Sequence, residues 1–300
     1  MTFAPSFGRT FSPTFQPASV ATGGEDVAKF YCTTTGAETL TIASLTVSAQ
    51  VTVDWGDGST NDYTGSGART HAYSGAGTFT VKISDPLNIT ALTLSDNKIT
   101  INSADVMGML NITTANFLNC KAGTFNSADV SAWRPSDFRL YSMPSGYAGT
   151  FDSADVSAWR PTTFYLLLMP SGYAGTFDSA DVSAWRPSTF NLYSMPVATF
   201  SIITTANGFS GWVSTTTFRT DGNYLTQAQV DQILADFWSG FATRTGTSGT
   251  LNVGGTNAAP SGTLQAANPP TTGKEYAYEL KNDSQNINPT KKWGTVTITA

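Results

Sequence analysis

Ser127-Ala-Asp-Val-Ser-Ala-Trp-Arg-Pro135, Ser153-Ala-Asp-Val-Ser-Ala-Trp-Arg-Pro161 and Ser179-Ala-Asp-Val-Ser-Ala-Trp-Arg-Pro187 are one nine-residue phrase written three times. A shorter copy, Ser103-Ala-Asp-Val106, precedes them, so the phrase steps by 24, 26 and 26 residues. The register extends past the phrase itself. Trp133, Trp159 and Trp185 keep the step, as do Phe138, Phe164 and Phe190, and Leu140, Leu166 and Leu192. Trp212 and Phe218 belong to a degenerate further copy. A period of roughly 20–50 residues marks units that bury their apolar face only by stacking on one another. Residues 88–222 are therefore expected to form a solenoid of period about 26.

Within each repeat, Asn126, Asp152 or Asp178 stands where a helix N-cap belongs. Asp129, Asp155 or Asp181 follows three residues later, near the positive end of a helix. A short helical turn is expected to carry Val and Trp inward until the proline ends it. The Phe-x-Leu run that follows reads as a strand closed by Met-Pro. One helical turn plus one strand per repeat resembles a leucine-rich-repeat solenoid, although the multiple-leucine motif with its asparagine is missing. Caps and dipole partners account for the aspartates, and a calcium ladder would need several carboxylates converging per turn. No metal site is expected.

The outward strand positions behave differently from the core. They read Arg139, Tyr165 and Asn191 in one row, then Tyr141, Leu167 and Tyr193 in the next. Copies that hold their core and vary one face describe a candidate recognition face. A merely tolerated surface gives the same pattern, and the residues alone leave both readings open.

Before the repeats, residues 18–87 read as strands. Leu40-Thr-Ile-Ala-Ser-Leu-Thr-Val47 and Val51-Thr-Val-Asp-Trp55 alternate with period two. Asp54-Trp-Gly-Asp-Gly-Ser59 supplies a tight turn, and His71-Ala-Tyr-Ser-Gly-Ala-Gly-Thr-Phe-Thr-Val-Lys-Ile83 follows. The ordered set "DWGDGS", "H-x-Y" and "G-x-F-T-V" resembles a PKD-type domain, an immunoglobulin-like sandwich. That resemblance implies a spacer or interaction module of a surface protein. It also implies that Asp54, Asp57 and His71 brace the turn rather than carry chemistry.

The two ends complete the plan. Phe3, Phe7, Phe11 and Phe15 recur every four residues, but Pro5, Pro13 and Pro17 oppose a continuous helix. Residues 1–17 are expected to be an extended anchoring arm whose four rings dock on another subunit, the alternative being that the arm folds back onto its own first domain. Its wording, Pro5-Ser-Phe-Gly-Arg-Thr-Phe-Ser-Pro-Thr-Phe15, resembles the amino termini of tailed-phage structural proteins. Residues 223–300 read as a capping module. Thr226 would cap a helix presenting Val230, Ile233, Leu234 and Phe237 on one face, a second helical stretch lies near Lys274–Leu280, and a strand near Trp293–Ile298 ends the chain. This order resembles a terminal module that follows such repeats in phage structural and bacterial surface proteins.

The fold class expected is thus mostly β with short helices: an Ig-like β-sandwich, a leucine-rich-repeat-like α/β solenoid and a helical C-terminal cap. Composition narrows the function. Charged residues are 12% of the chain, against about 25% in an average soluble protein. The net charge of −5 lacks the basic footprint of a nucleic-acid binder. No segment approaches the ~18 apolar residues of a membrane span, and the N-terminus does not read as a secretory signal. Cys32 and Cys120 are expected to be buried free thiols, with a disulfide between them as the alternative. With one histidine, no Cys–His pair and no Gly-rich phosphate loop, neither an enzyme nor a cofactor is expected. The resulting expectation is a non-enzymatic phage virion structural protein, located at the virion surface as a capsid decoration, head fibre or tail-associated component. Its partners would be capsid or tail subunits and a host-surface glycan or protein, and cyclic homo-oligomers are usual for such appendages. The alternative is a bacterial surface adhesin or glycan-binding module.

Overall fold

The computed structural model describes residues 27–300. The expected anchoring arm, with Phe3, Phe7, Phe11 and Phe15, lies outside the described residues. The described part is mostly β, with two α-helices, and its centre is a β-solenoid of about five turns.

Each coil contributes a strand to one long parallel sheet. In chain order these strands are β5 (Ile89–Leu94), β7 (Thr114–Leu118), β9 (Asp137–Tyr141), β11 (Thr163–Leu167), β13 (Thr189–Tyr193) and β15 (Thr217–Arg219). A second, four-stranded sheet is built from β8 (Gly123–Thr124), β10 (Tyr147–Asp152), β12 (Tyr173–Asp178) and β14 (Phe200–Ile203). The repeat therefore holds two strands, where the sequence suggested one strand and a helical turn. Between the two strands the chain turns at Asn119, Ser142, Leu168 or Ser194, each with φ between 51° and 56°. In every case the amide of that residue bonds a carbonyl of the next coil, so stacking helps hold the left-handed corner in place. Gly149 and Gly175 are required on the second sheet. Their φ values are 130° and 131°, and a Cβ there would collide with the carbonyl oxygens of Phe125 and Phe151 in the coil before.

The Ser-Ala-Asp-Val segments are not α-helical. Ser127–Val130 is a single 3-10 turn, and the later copies are plain turns. Of the expected N-cap residues, Asp178 does accept a local amide, that of Ala180 at 2.9 Å, whereas the other two act differently. The Asn126 side chain makes no cap bond and instead accepts from the Thr150 amide of the next coil at 3.1 Å. Asp152 does the same for Thr176 at 2.8 Å. The dipole-complementing aspartates are likewise inter-coil links. Ser103, Ser127 and Ser153, all buried, donate to Asp129, Asp155 and Asp181 at 2.5–2.6 Å. Each of these hydroxyls also accepts an amide, from Asn126, Asp152 and Asp178 respectively. Local capping and inter-coil bonding require the same residue types, and here the neighbouring coil supplies most of the partners.

Aromatic stacking fills the solenoid. Trp133, Trp159, Trp185 and Trp212 are buried. Phe138, Phe164, Phe190 and Phe218 form a continuous column with ring centroids 5.7, 5.4 and 5.3 Å apart. Burying each such ring is worth about 1.5–3 kcal/mol, with stacking adding about 0.5–1.5 kcal/mol per pair.

Upstream, the sheet changes character without a break. β1 (Val27–Thr34) pairs antiparallel with β4 (Gly77–Ser84), and β2 (Glu38–Asp54) pairs antiparallel with β3 (Thr60–Tyr73). β2 carries register shifts between Ile42 and Leu45 and between Val47 and Val51. Such bulges bend a strand. β2 accordingly meets β5 along its first half and β4 at its end. A two-residue strand, β6 (Ile99–Thr100), flanks β1. Because β5 pairs with both β2 and β7, the antiparallel strands extend the solenoid sheet, and the two parts share one hydrophobic cluster.

At the other end, β16 (Thr250–Asn252) and β17 (Thr295–Thr297) continue the long sheet. The short sheet stops at β14, and α1 (Gln227–Ser239) follows it. Thr226 and Gln229 close a capping box, and Val230, Ile233, Leu234 and Phe237 are buried as expected. Gln229 donates to the Ile202 carbonyl on β14. The buried carboxylate of Asp236 accepts from the amides of Asn207 and Phe209 at 2.8 and 3.0 Å, taking the place a further coil would occupy. α2 (Gly273–Asn282) packs on α1 and lies between β16 and β17 in the chain.

Candidate functional site

Parallel pairing in register fixes the outer face of the long sheet. Arg139 is opposite Tyr165, and Tyr165 is opposite Asn191. Tyr141, Leu167 and Tyr193 form the adjoining row. All six candidate residues thus share three adjacent strands, β9, β11 and β13. The register adds Asn116 on β7 and Arg219 on β15 to the first row.

The side chains interlock. Arg139 is held bidentately by Asp137, with Nε–Oδ1 2.8 Å and Nη2–Oδ2 3.0 Å, and its guanidinium lies 4.9 Å from the Tyr165 ring centroid. Tyr165 in turn meets Tyr141 edge-on at 6.2 Å. The same device recurs two coils on. Arg219 is held bidentately by Asp221 and lies 4.1 Å from the Tyr193 ring. The aspartate hydrogen bond raises the pKa of both arginines, so the charges are permanent. Between the two clamps, Asn191 is only 7% exposed, and its buried Oδ1 has no hydrogen-bond partner. The Asn116 Oδ1 is unpartnered in the same way. Leu167 is also buried, so the second row presents chiefly its two tyrosines.

This face offers flat aromatic surface beside guanidinium donors held in place, while the Asn116 and Asn191 Oδ1 atoms stay buried beneath it. Tyrosine rings beside fixed guanidinium donors suit a ligand that carries both apolar faces and hydroxyls. Arg219 and Asn116 escaped the sequence reading. The signal was present, since Phe218 was in register and Arg219 is the next residue.

The cluster at His71 has a different character. His71 Nε2 lies 2.7 Å from Asp57 Oδ2 and 3.4 Å from Ser59 Oγ, while Ser59 Oγ donates to Asp57 Oδ1 at 2.6 Å. Asp and Ser therefore meet the same ring nitrogen. A hydrolytic triad needs them on opposite nitrogens, so this trio does not have that geometry. Its contacts brace the turn. Trp55 stacks on His71 at 4.9 Å, the Tyr73 hydroxyl donates to the Trp55 carbonyl at 2.8 Å, and Trp55 Nε1 donates to Asn61. Asp54 receives the Gly56 amide at 2.9 Å.

Cys32 and Cys120 are free and buried, and burial raises their thiol pKa values to about 11 and about 12. Among the described residues no three of His, Cys, Asp and Glu converge as metal ligands would. No family model, curated protein or solved structure matches this chain.

Proposed function

We propose that the chain is a non-enzymatic structural and recognition protein of a tailed-phage virion. The N-terminal arm with Phe3, Phe7, Phe11 and Phe15 anchors it to other virion subunits. The antiparallel strands act as a PKD-type, immunoglobulin-like spacer. The coils, leucine-rich-repeat-like in the broad sense of a repeated strand with its turn, present the face around Arg139, Tyr165 and Asn191 to a host-surface glycan.

The observation that carries the recognition role is the recurrence of one unit, an arginine clamped by an aspartate and laid over a tyrosine, at Arg139–Tyr165 and Arg219–Tyr193. Core stability does not call for it, because the Phe and Trp columns are buried beneath the sheet. The assignment to a virion rests on the resemblance of the arm and of the terminal module to phage structural proteins.

The test is co-sedimentation and electron microscopy of candidate phage particles with the full chain and with a form lacking residues 1–17. Decoration by the full chain alone supports the anchor. If neither form binds particles and both bind bacterial cells, the surface-adhesin reading replaces it.

A further inference from the structure

A second row runs along a different edge of the solenoid. Arg134, Arg160 and Arg186 follow the buried tryptophans of three successive coils, and all three side chains are exposed. We propose that this row binds a polysaccharide carrying sulfate or phosphate esters.

The guanidinium positions are fixed by the fold. Nη1 of each arginine donates to the carbonyl three residues back, Ser131, Ser157 or Ser183, at 2.7–2.8 Å, and to the carbonyl of the preceding tryptophan. The Nε and Nη2 donors are left for another acceptor. Among the described residues no carboxylate pairs with any of the three, whereas Arg139 and Arg219 each have an aspartate two positions away. The chain thus has a means of neutralising an arginine and does not use it at this edge.

The strands that follow these arginines pair in register, with a strand spacing of about 4.8 Å, so three like charges occupy equivalent positions in successive coils, an arrangement that is unfavourable on its own. The net charge of the chain is −5, which makes the row a local positive strip on an acidic protein. A chain of regularly spaced oxyanions relieves the repulsion, and a guanidinium fork matches sulfate or phosphate oxygens.

The surroundings favour a sugar polymer over a nucleic acid. The residues beside the arginines are Ser131 and Ala132, Ser157 and Ala158, and Ser183 and Ala184. They supply hydroxyls and small flat surface. The tryptophans of this edge are buried, so there is no aromatic platform for stacking bases.

The test uses the intact chain and the triple variant Arg134→Gln/Arg160→Gln/Arg186→Gln. Affinity for dextran sulfate, phosphomannan and unmodified dextran is measured across a salt series. Thermal melting verifies that the variant is folded, and a triple Arg→Lys variant that keeps the charge controls for lost packing. The expected result is salt-sensitive binding to one or both charged polymers and none to dextran. Loss of tenfold or more in affinity is expected for the Gln variant, with partial retention for the Lys variant. The comparison of the two polymers distinguishes sulfate from phosphate. Failure of both charged polymers to bind, equal binding by the Gln variant, or tighter binding of a single-stranded oligonucleotide than of either polymer would each overturn the proposal. None of these outcomes depends on whether the chain sits on a virion.

Discussion

Ser153 and Asp181 are joined across one coil of the solenoid: the Ser153 hydroxyl donates to Asp181 Oδ2 at 2.6 Å while accepting the Asp178 amide at 2.8 Å. The hydroxyl is buried and serves two partners, one of them charged. Ser153→Ala leaves both without their bond and should cost about 1–3 kcal/mol. Ser179 offers a comparison, because its hydroxyl meets only the amide and carbonyl of Thr205. Urea unfolding should therefore rank Ser153→Ala as more damaging than Ser179→Ala. Equal costs would show that the carboxylate link is unimportant.

The aromatic columns should dominate stability. Trp159 is fully buried between coils, and Trp159→Ala should cost about 3–5 kcal/mol. Because each coil leans on its neighbours, the loss should also broaden the unfolding transition as the coils uncouple. Denaturation followed by tryptophan fluorescence and by circular dichroism tests this. The two probes should agree for the unaltered chain and separate for the variant.

Acid should act on the turn at Asp57. The Ser59 hydroxyl, and then His71, hold this carboxyl at about 2, below its ordinary 3.8. A folded-state pKa below the unfolded one gives stability that is complete above about pH 4 and fades as the pH falls toward 2. Asp57→Asn should lower the melting temperature at pH 6 and narrow the gap between the two proteins on acidification. A constant gap between pH 6 and pH 2 would contradict the linkage.

The thiols should be silent. Cys32 and Cys120 are both buried, and burial keeps them protonated far above neutral pH. A thiol reagent should label neither in the native protein at pH 8 and both in guanidinium chloride. Rapid native labelling would mean that the strands around them open readily.

Much of this architecture was readable in the residues. The 26-residue step placed Trp133, Trp159 and Trp185 in the core and set Arg139, Tyr165 and Asn191 in one row, because in-register parallel stacking carries identical positions onto one another. The α1 boundary was equally plain, since the Thr226 capping box is a local signal. The second strand, Tyr147–Asp152, was hidden by its Ala148 and Gly149, which weaken the strand pattern although the close approach of the coils requires the glycine. The expected helical turn failed for a related reason. Asn126 and Asp129 look like a cap and a dipole partner, yet beyond a 3.4 Å bond to each other their partners lie some 24–26 positions distant, which no local pattern reports. Continuity of the sheet from β2 through β5 into the coils was also invisible, because it depends on bulges within β2.

The most direct test of the central claim is binding of host-surface glycans, on an array and on whole cells, by the full chain and by Tyr165→Ala/Arg219→Ala. These two side chains lie on the outer face, so circular dichroism and melting should stay close to those of the unaltered protein. The unaltered chain is expected to bind a defined set of glycans, and the double variant to lose at least tenfold in affinity for them. Undiminished binding by a folded double variant would contradict the central claim.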